Sequence, residues 1–157
     1  MLGLTKKTDY GLLALSHLAR IGPGRAVRTR EIAEEFGIPV ELLAKIMQRL
    51  ARSGLVSSMP GPTGGYVLAR SEQTISIGDV IESIEGMPAI VACLKNETSA
   101  CDQHPRCTIR RPLERINAQM YRMLCRIPLS ALAHDEESEA PREALAEIVP
   151  LASIRSR

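Results

Sequence analysis

Residues 29–69 leave a folded chain few choices. TREIAEEFGIPVELLAKIMQRLARSG reads as two short amphipathic helices joined by FGIP. Ile32, Ala33 and Phe36 line the first, and Leu42, Leu43, Ile46, Met47 and Leu50 recur as the core stripe of the second, at the spacing of one helical face. Gly37 supplies a tight turn and Pro39 opens the second helix near its first position, an arrangement that ends one helix and starts the next within three residues. So short a turn sets the second helix across the first, which is helix-turn-helix spacing. A plain helical hairpin shares this pattern, so the next stretch decides. In LVSSMPGPTGGYVLA, residues 55–69, two runs rich in Leu, Val and Tyr flank PGPTGG, which can turn but cannot continue a helix. A β-hairpin directly after a candidate recognition helix predicts a mainly α fold with a small β-hairpin wing, a winged helix-turn-helix.

In that arrangement Val40, Glu41, Ala44, Lys45, Gln48, Arg49 and Arg52 face outward, able to lie along a major groove. Lys45 and Gln48 suit base edges, Arg49 and Arg52 suit phosphates, and Lys6, Lys7 and Arg28 are further candidate DNA contacts. At the wing, Gly61, Thr63, Gly64 and Gly65 are candidates too. These glycines either let backbone approach a phosphate or only close the turn.

The flanking segments complete the head. Thr5 or Thr8 can cap a helix reaching about Ile21, apolar on two sides and therefore expected to be covered on two sides. His17 lies among its apolar positions, where a hydrogen-bonded core histidine is expected rather than a ligand. Ser76 with Asp79 makes a capping box for a helix through Glu85, with Ile77, Val80, Ile81 and Ile84 inward. Charge supports a polyanionic partner. Residues 1–70 hold ten Lys/Arg against five Asp/Glu, whereas residues 129–157 hold three against six, so the front is basic and the tail acidic. No run of about twenty apolar residues occurs, and a cytoplasmic chain is expected. No carboxylate pair, nucleophile–base set or phosphate loop points to an enzyme.

Three of the four cysteines, Cys93, Cys101 and Cys107, fall within fifteen residues of a segment with few aliphatic side chains to bury. Cysteine usage of this kind outside a secreted protein points to ligands or sensors rather than disulfides. Thiolates are the usual iron–sulfur ligands, and seven and five intervening residues give reach around a cluster. Zinc also accepts three cysteines with a histidine, here His104, and metal-free thiol sensing is a third option. Beyond it, Ile109, Leu113, Ile116, Met120, Met123 and Ile127 step by four, three, four, three and four. Such a seam on one long helix needs a partner, and the same helix of a second copy gives a homodimer. Cys125 lies off that seam and is read as structural or incidental. The regions are thus 1–86 as DNA-binding domain, 87–107 as cysteine-rich loop, 108–132 as dimerisation helix with its following turn, and 133–157 as an acidic tail expected to be mobile.

LTKKTDYGLLALSHLA, REIAEEFGIPVELLAKIMQRLARSGLVSS, GPTGGYVLAR, ISIGDVIESIEG and the three cysteines together resemble the Rrf2 family of bacterial winged-helix regulators, the IscR/NsrR/RirA-like group. Within it the chain is most similar to regulators accompanying the SUF iron–sulfur assembly system. The resemblance implies that Cys93, Cys101 and Cys107 hold an iron–sulfur cluster that changes promoter affinity, sensing iron or cluster status, oxygen or nitric oxide, with repression of cluster-assembly genes as the expected output. IscR-like relatives carry a histidine ligand three residues after the last cysteine, where this chain has Arg110, which cannot ligate. NsrR-like relatives use an aspartate of the opposite protomer, and the matching position is Asp9, with His104 as the local rival. Asp9 can equally serve only the positive end of its helix. The spacing and this aspartate favour a 4Fe-4S centre over 2Fe-2S. In the DNA reader, Ala44 stands where IscR-like proteins carry a glutamate, and Pro60 replaces an arginine near the wing tip. Those two replacements alone can redirect site preference. A cluster-free thiol-redox or zinc-containing regulator, or an interaction module of this fold, is the alternative.

Overall fold

The computed structural model describes residues 4–61, 64–95 and 106–134. Thr63, Cys101, His104 and the tail from residue 135 onward therefore lie outside the described residues. The elements are α1 (Lys6–Ile21), α2 (Thr29–Phe36), α3 (Val40–Arg52), β1 (Val56–Met59), β2 (Gly65–Leu68), α4 (Ile77–Glu85), α5 (Ala92–Lys95), α6 (Arg110–Leu124) and α7 (Ser130–Ala133). This is the expected mainly helical fold with a hairpin wing. Among the described residues no helix is long and apolar enough to cross a membrane.

Gly37 ends α2 in the left-handed region, at φ 62° and ψ 32°, a conformation glycine adopts without steric cost. Its position lets Ile38 N–H reach the Ala33 carbonyl at 2.8 Å and sends α3 across α2. Pro39 occupies the N-cap of α3 rather than its first helical position. Leu43, Ile46, Met47 and Leu50 are buried, with Leu43, Met47 and Leu50 fully so. They meet Leu15, Ile32, Leu55, Ile75 and Val80 in one core. The wing pairs antiparallel, Val56 opposite Leu68 and Met59 opposite Gly65. Val27 adds a third short rung through reciprocal bonds with Tyr66 at 3.0 and 2.8 Å.

Two features of α1 depart from its sequence reading. Thr5 is the N-cap but makes no side-chain cap bond. Instead the Thr5 N–H and hydroxyl donate to Glu85 Oε1 at 2.9 and 2.7 Å, and the buried Thr8 hydroxyl donates to the same oxygen. The carboxylate that satisfies the start of α1 thus comes from the last residue of α4, eighty positions away, where a negative charge also favours the helix dipole. His17 is half-buried, its ring edge-on to Phe36 with centroids 5.5 Å apart. Burial, then the neighbouring Arg20 charge, holds its pKa below the ordinary 6.5.

α4 opens with the expected capping box: Ser76 Oγ accepts from Asp79 N–H at 3.1 Å and Asp79 Oδ2 accepts from Ser76 N–H at 3.0 Å. The chain leaves α6 earlier than the apolar seam implies. The helix ends at Leu124, so Ile127, read as the seam's last helical member, lies beyond it. Pro128 follows, and residues 127–129 turn back onto the head: Ile77 N–H bonds Ile127 O at 2.9 Å and Leu129 N–H bonds Ile75 O at 2.8 Å. Leu129 is fully buried, and Ala133 of α7 joins the same core. The head is completed by residues that follow the long helix.

Two outcomes follow from this packing. For His17 the folded pKa is lowered, so the unfolded chain binds the proton more tightly, and stability must fall as pH drops through 6.5 towards the folded value. Denaturant titrations from about pH 7.5 to about pH 5.5 should show that loss, and His17→Gln should flatten it; an equal slope in both proteins would contradict the assignment. Replacing Glu85 by Ala strips a charged acceptor from three donors and should cost about 2 kcal/mol. Arg30→Ala, which breaks a pair with Glu34 that is over two-thirds exposed on both sides, should cost under about 0.5 kcal/mol.

Candidate nucleic-acid interface and thiol segment

The outward face of α3 is built by subtraction. With Leu43, Ile46, Met47 and Leu50 turned inward, Glu41, Lys45, Gln48 and Arg52 are exposed at steps of four, three and four, a single stripe on the helix. Val40 is 40% exposed at its start and Ala44 is half-buried. Arg49 is turned differently. Its Nη1 donates to the Ile84 carbonyl of α4 at 2.8 Å, so the exposed guanidinium read from sequence as a phosphate ligand is engaged at a helix end of the head. Lys6 and Lys7 are exposed on the first turn of α1, and Arg28 is exposed as the N-cap of α2.

At the wing the glycines answer to the chain's own backbone. A Cβ on Gly64 would stand 2.3 Å from Met59 O, and one on Gly65 would stand 2.4 Å from Val27 O. Both are thus required by close approach inside the hairpin, without any phosphate. Gly61 is exposed with φ 112° and marks the described edge of the turn.

Cys93 lies in α5 and Cys107 just ahead of α6, both half-buried free thiols. They bracket the segment that contains Cys101 and His104. The approach to Cys93 is held by Asn117 of α6, whose Oδ1 accepts from Ile90 N–H and whose Nδ2 donates to Pro88 O, each at 3.0 Å. Asp9 is exposed on the first turn of α1. Glu85 supplies a further negative charge at that helix end. Among the described residues no three His, Cys, Asp or Glu side chains gather as a metal-binding group. The thiol chemistry of Cys93 and Cys107 fits an iron–sulfur or zinc centre. Arg110, at the place of the IscR-like histidine, begins α6 and pairs with Glu114 at 2.9 Å.

The remainder of α6 divides by face. Asn117, Tyr121 and Cys125 look toward α4. The Tyr121 hydroxyl bonds Glu82, and that bond, then burial, raises the phenol's pKa well above its ordinary value. Gly78 admits Cys125, since a Cβ there would lie 2.5 Å from its Sγ. About a quarter-turn away, the seam grades outward: Leu113 and Met120 are half-buried, whereas Ile116 and Met123 are 52% and 43% exposed, as is Ile109 at 61% just before the helix. No residue of α6 is buried. A groove of about 1160 Å³ runs between the wing and the C-terminal end of α1, lined by Leu18, Arg25, Arg28 and Arg70 among others. It sits at the other end of α1 from Glu85, on the order of 20 Å away.

Comparison with known proteins agrees with this architecture. The Rrf2 family profile, described as iron-dependent transcriptional regulator, matches residues 4–135. The structure is similar to CymR, the global cysteine regulator of B. subtilis, at 27% identity and TM-score 0.66, covering 85% of this chain and 97% of that one. It is similar to T. potens IscR at 27% identity and TM-score 0.67, covering 87% and 89%. Oxidized CymR of Staphylococcus aureus matches at 26% identity and TM-score 0.63, over 85% and 97%. The chain belongs to the Rrf2 family of winged-helix transcriptional regulators.

Proposed function

We infer that the chain acts as a homodimeric repressor whose promoter affinity is set by an iron–sulfur cluster on Cys93, Cys101 and Cys107. The observation that carries this reading is the pair of half-buried free thiols, Cys93 and Cys107, at the two ends of one segment. That segment is tied at its start to α6 by Asn117. The fourth ligand is the partner subunit's Asp9, with His104 as the local rival. The chemistry of a bound centre is redox- and nitric-oxide-reactive and depends on iron supply, with 4Fe-4S favoured over 2Fe-2S and cluster-assembly genes as the regulated set.

The chain's own residues supply the rest. Lys45 and Gln48 read base edges, Arg52, Lys6, Lys7 and Arg28 hold phosphates, and the wing follows the backbone. Phosphate contacts make the affinity fall steeply with salt. The exposed seam of α6 covers its counterpart in a second copy, which places two recognition helices on one duplex. A second reading has specific support. The identity to CymR, a global cysteine regulator, is the same 27% as that to IscR, so family membership alone does not require a cluster, and the thiols can equally serve a cluster-free sensor or a zinc site.

Anaerobic reconstitution followed by iron analysis, absorbance and EPR should show a cluster in the native chain. It should be lost or depleted in Cys93→Ala, Cys101→Ala and Cys107→Ala. Full iron in all three variants would place the centre elsewhere, and zinc or no metal in the native chain would favour the second reading. Ile116→Arg should convert the dimer to monomer by light scattering and weaken promoter binding. A native chain that is monomeric, or a variant that stays dimeric, would remove the seam from the interface.

A further inference from the structure

The last turn of α4 is met from every side. Arg49 of α3 donates to its Ile84 carbonyl at 2.8 Å, one of the carbonyls a helix leaves unpaired at its C-terminus. Thr5 and Thr8 of α1 donate to Glu85, and Tyr121 of α6 donates to Glu82. Three residues past the turn's end, Pro88 begins the stretch that Asn117 clamps, and Cys93 follows three residues after Ile90. The recognition helix is therefore bonded to this turn through Arg49, and α6, bonded to the same turn through Tyr121, holds the approach to Cys93 through Asn117, in contacts that involve no DNA and no metal.

We propose that Asn117 and Arg49 are positioning residues at the two ends of a relay through this turn, Asn117 fixing the approach to Cys93 and Arg49 fixing the C-terminal end of the recognition helix. Resting on the DNA-binding reading above, this moves Arg49 from the phosphate contacts to the coupling machinery. Asn117 suits the task because one amide both donates and accepts. It satisfies a carbonyl and an N–H two residues apart and so holds backbone rather than a side chain. Arg49 suits it because its charge complements the negative end of α4. Since coupling between sites is reciprocal, loosening either end should be felt at the other.

The test uses the full chain, reduced and metal-free, with hydrogen–deuterium exchange read by mass spectrometry. Asn117→Ala should speed exchange at residues 86–95 and also at 46–53, while Arg49→Gln should speed it at 46–53 and also at 86–95. Acceleration confined to the substituted end in both variants would overturn the relay. Arg49→Gln lies at the surface, so the test survives if Asn117→Ala fails to fold. Binding to a random-sequence duplex provides a second readout. A phosphate contact at Arg49 would lower the slope of log affinity against log salt by about 0.9 on substitution, whereas a positioning role leaves the slope unchanged. A slope loss of that size would return Arg49 to the DNA backbone. Neither measurement uses a cluster, so a chain that takes up no iron would refute the proposed cofactor without touching this result.

Discussion

One carboxylate, that of Glu85, decides where α1 begins and against what it lies. It accepts from the Thr5 N–H and from two hydroxyls, one of them on the fully buried Thr8. Hydrogen bonds to a charged acceptor contribute about 1.5–3 kcal/mol, several times the roughly 0.3–0.5 kcal/mol of exposed i,i+4 pairs such as Arg30–Glu34. The head's polar architecture thus rests on a few helix-end contacts converging on α4. With α1 anchored there, Leu15 and Leu18 are delivered to the core shared with α3 and α4, and Lys6 and Lys7 are presented on the exposed side of the same first turn. Two lysines at a helix N-terminus oppose its dipole, and Glu85 offsets that cost.

Elements specified by short-range patterns were legible from the residues alone. The 3.6-residue period of Leu43, Ile46, Met47 and Leu50, the left-handed Gly37, the Ser76–Asp79 capping box and the PGPTGG hairpin each carry their own local signal. What was not legible joins distant positions. Glu85 to Thr5, Arg49 to Ile84 and Asn117 to Pro88 span 80, 35 and 29 residues. Each looks in sequence like an ordinary surface side chain, and no periodicity marks its partner. The seam misled in a specific way. Its four-three stepping continues to Ile127, but the backbone leaves the helix at Leu124 because Leu129 gains more by burial in the head, about 1.5–3 kcal/mol for such a side chain.

For the candidate site, chemistry was legible and geometry was not. Thiol spacing names a class of ligand, but of the three clustered cysteines only Cys93 and Cys107 fall among the described residues. Asp9 shows how structure reweights a sequence reading. An acidic residue in the first turn is ordinarily explained by the helix dipole; here Glu85 adds a second carboxylate at the same helix end, and Asp9 stays exposed. The wing glycines move the other way: Gly64 and Gly65 are accounted for by backbone approach to Met59 and Val27, which removes the need to invoke a phosphate.

The two faces of α6 connect these threads. Asn117, Tyr121 and Cys125 press on α4 and its following stretch, while Ile116 and Met123 stand exposed about 130° around the same helix. A helix of four turns is stiff on this scale, so it cannot shift at its seam without shifting at Asn117 and Tyr121. Under the proposed pairing, the partner copy and the thiol segment would both act on the head through the same turn that Arg49 grips. A short α4, nine residues long and capped at both ends by side chains, suits that role because it moves as a unit.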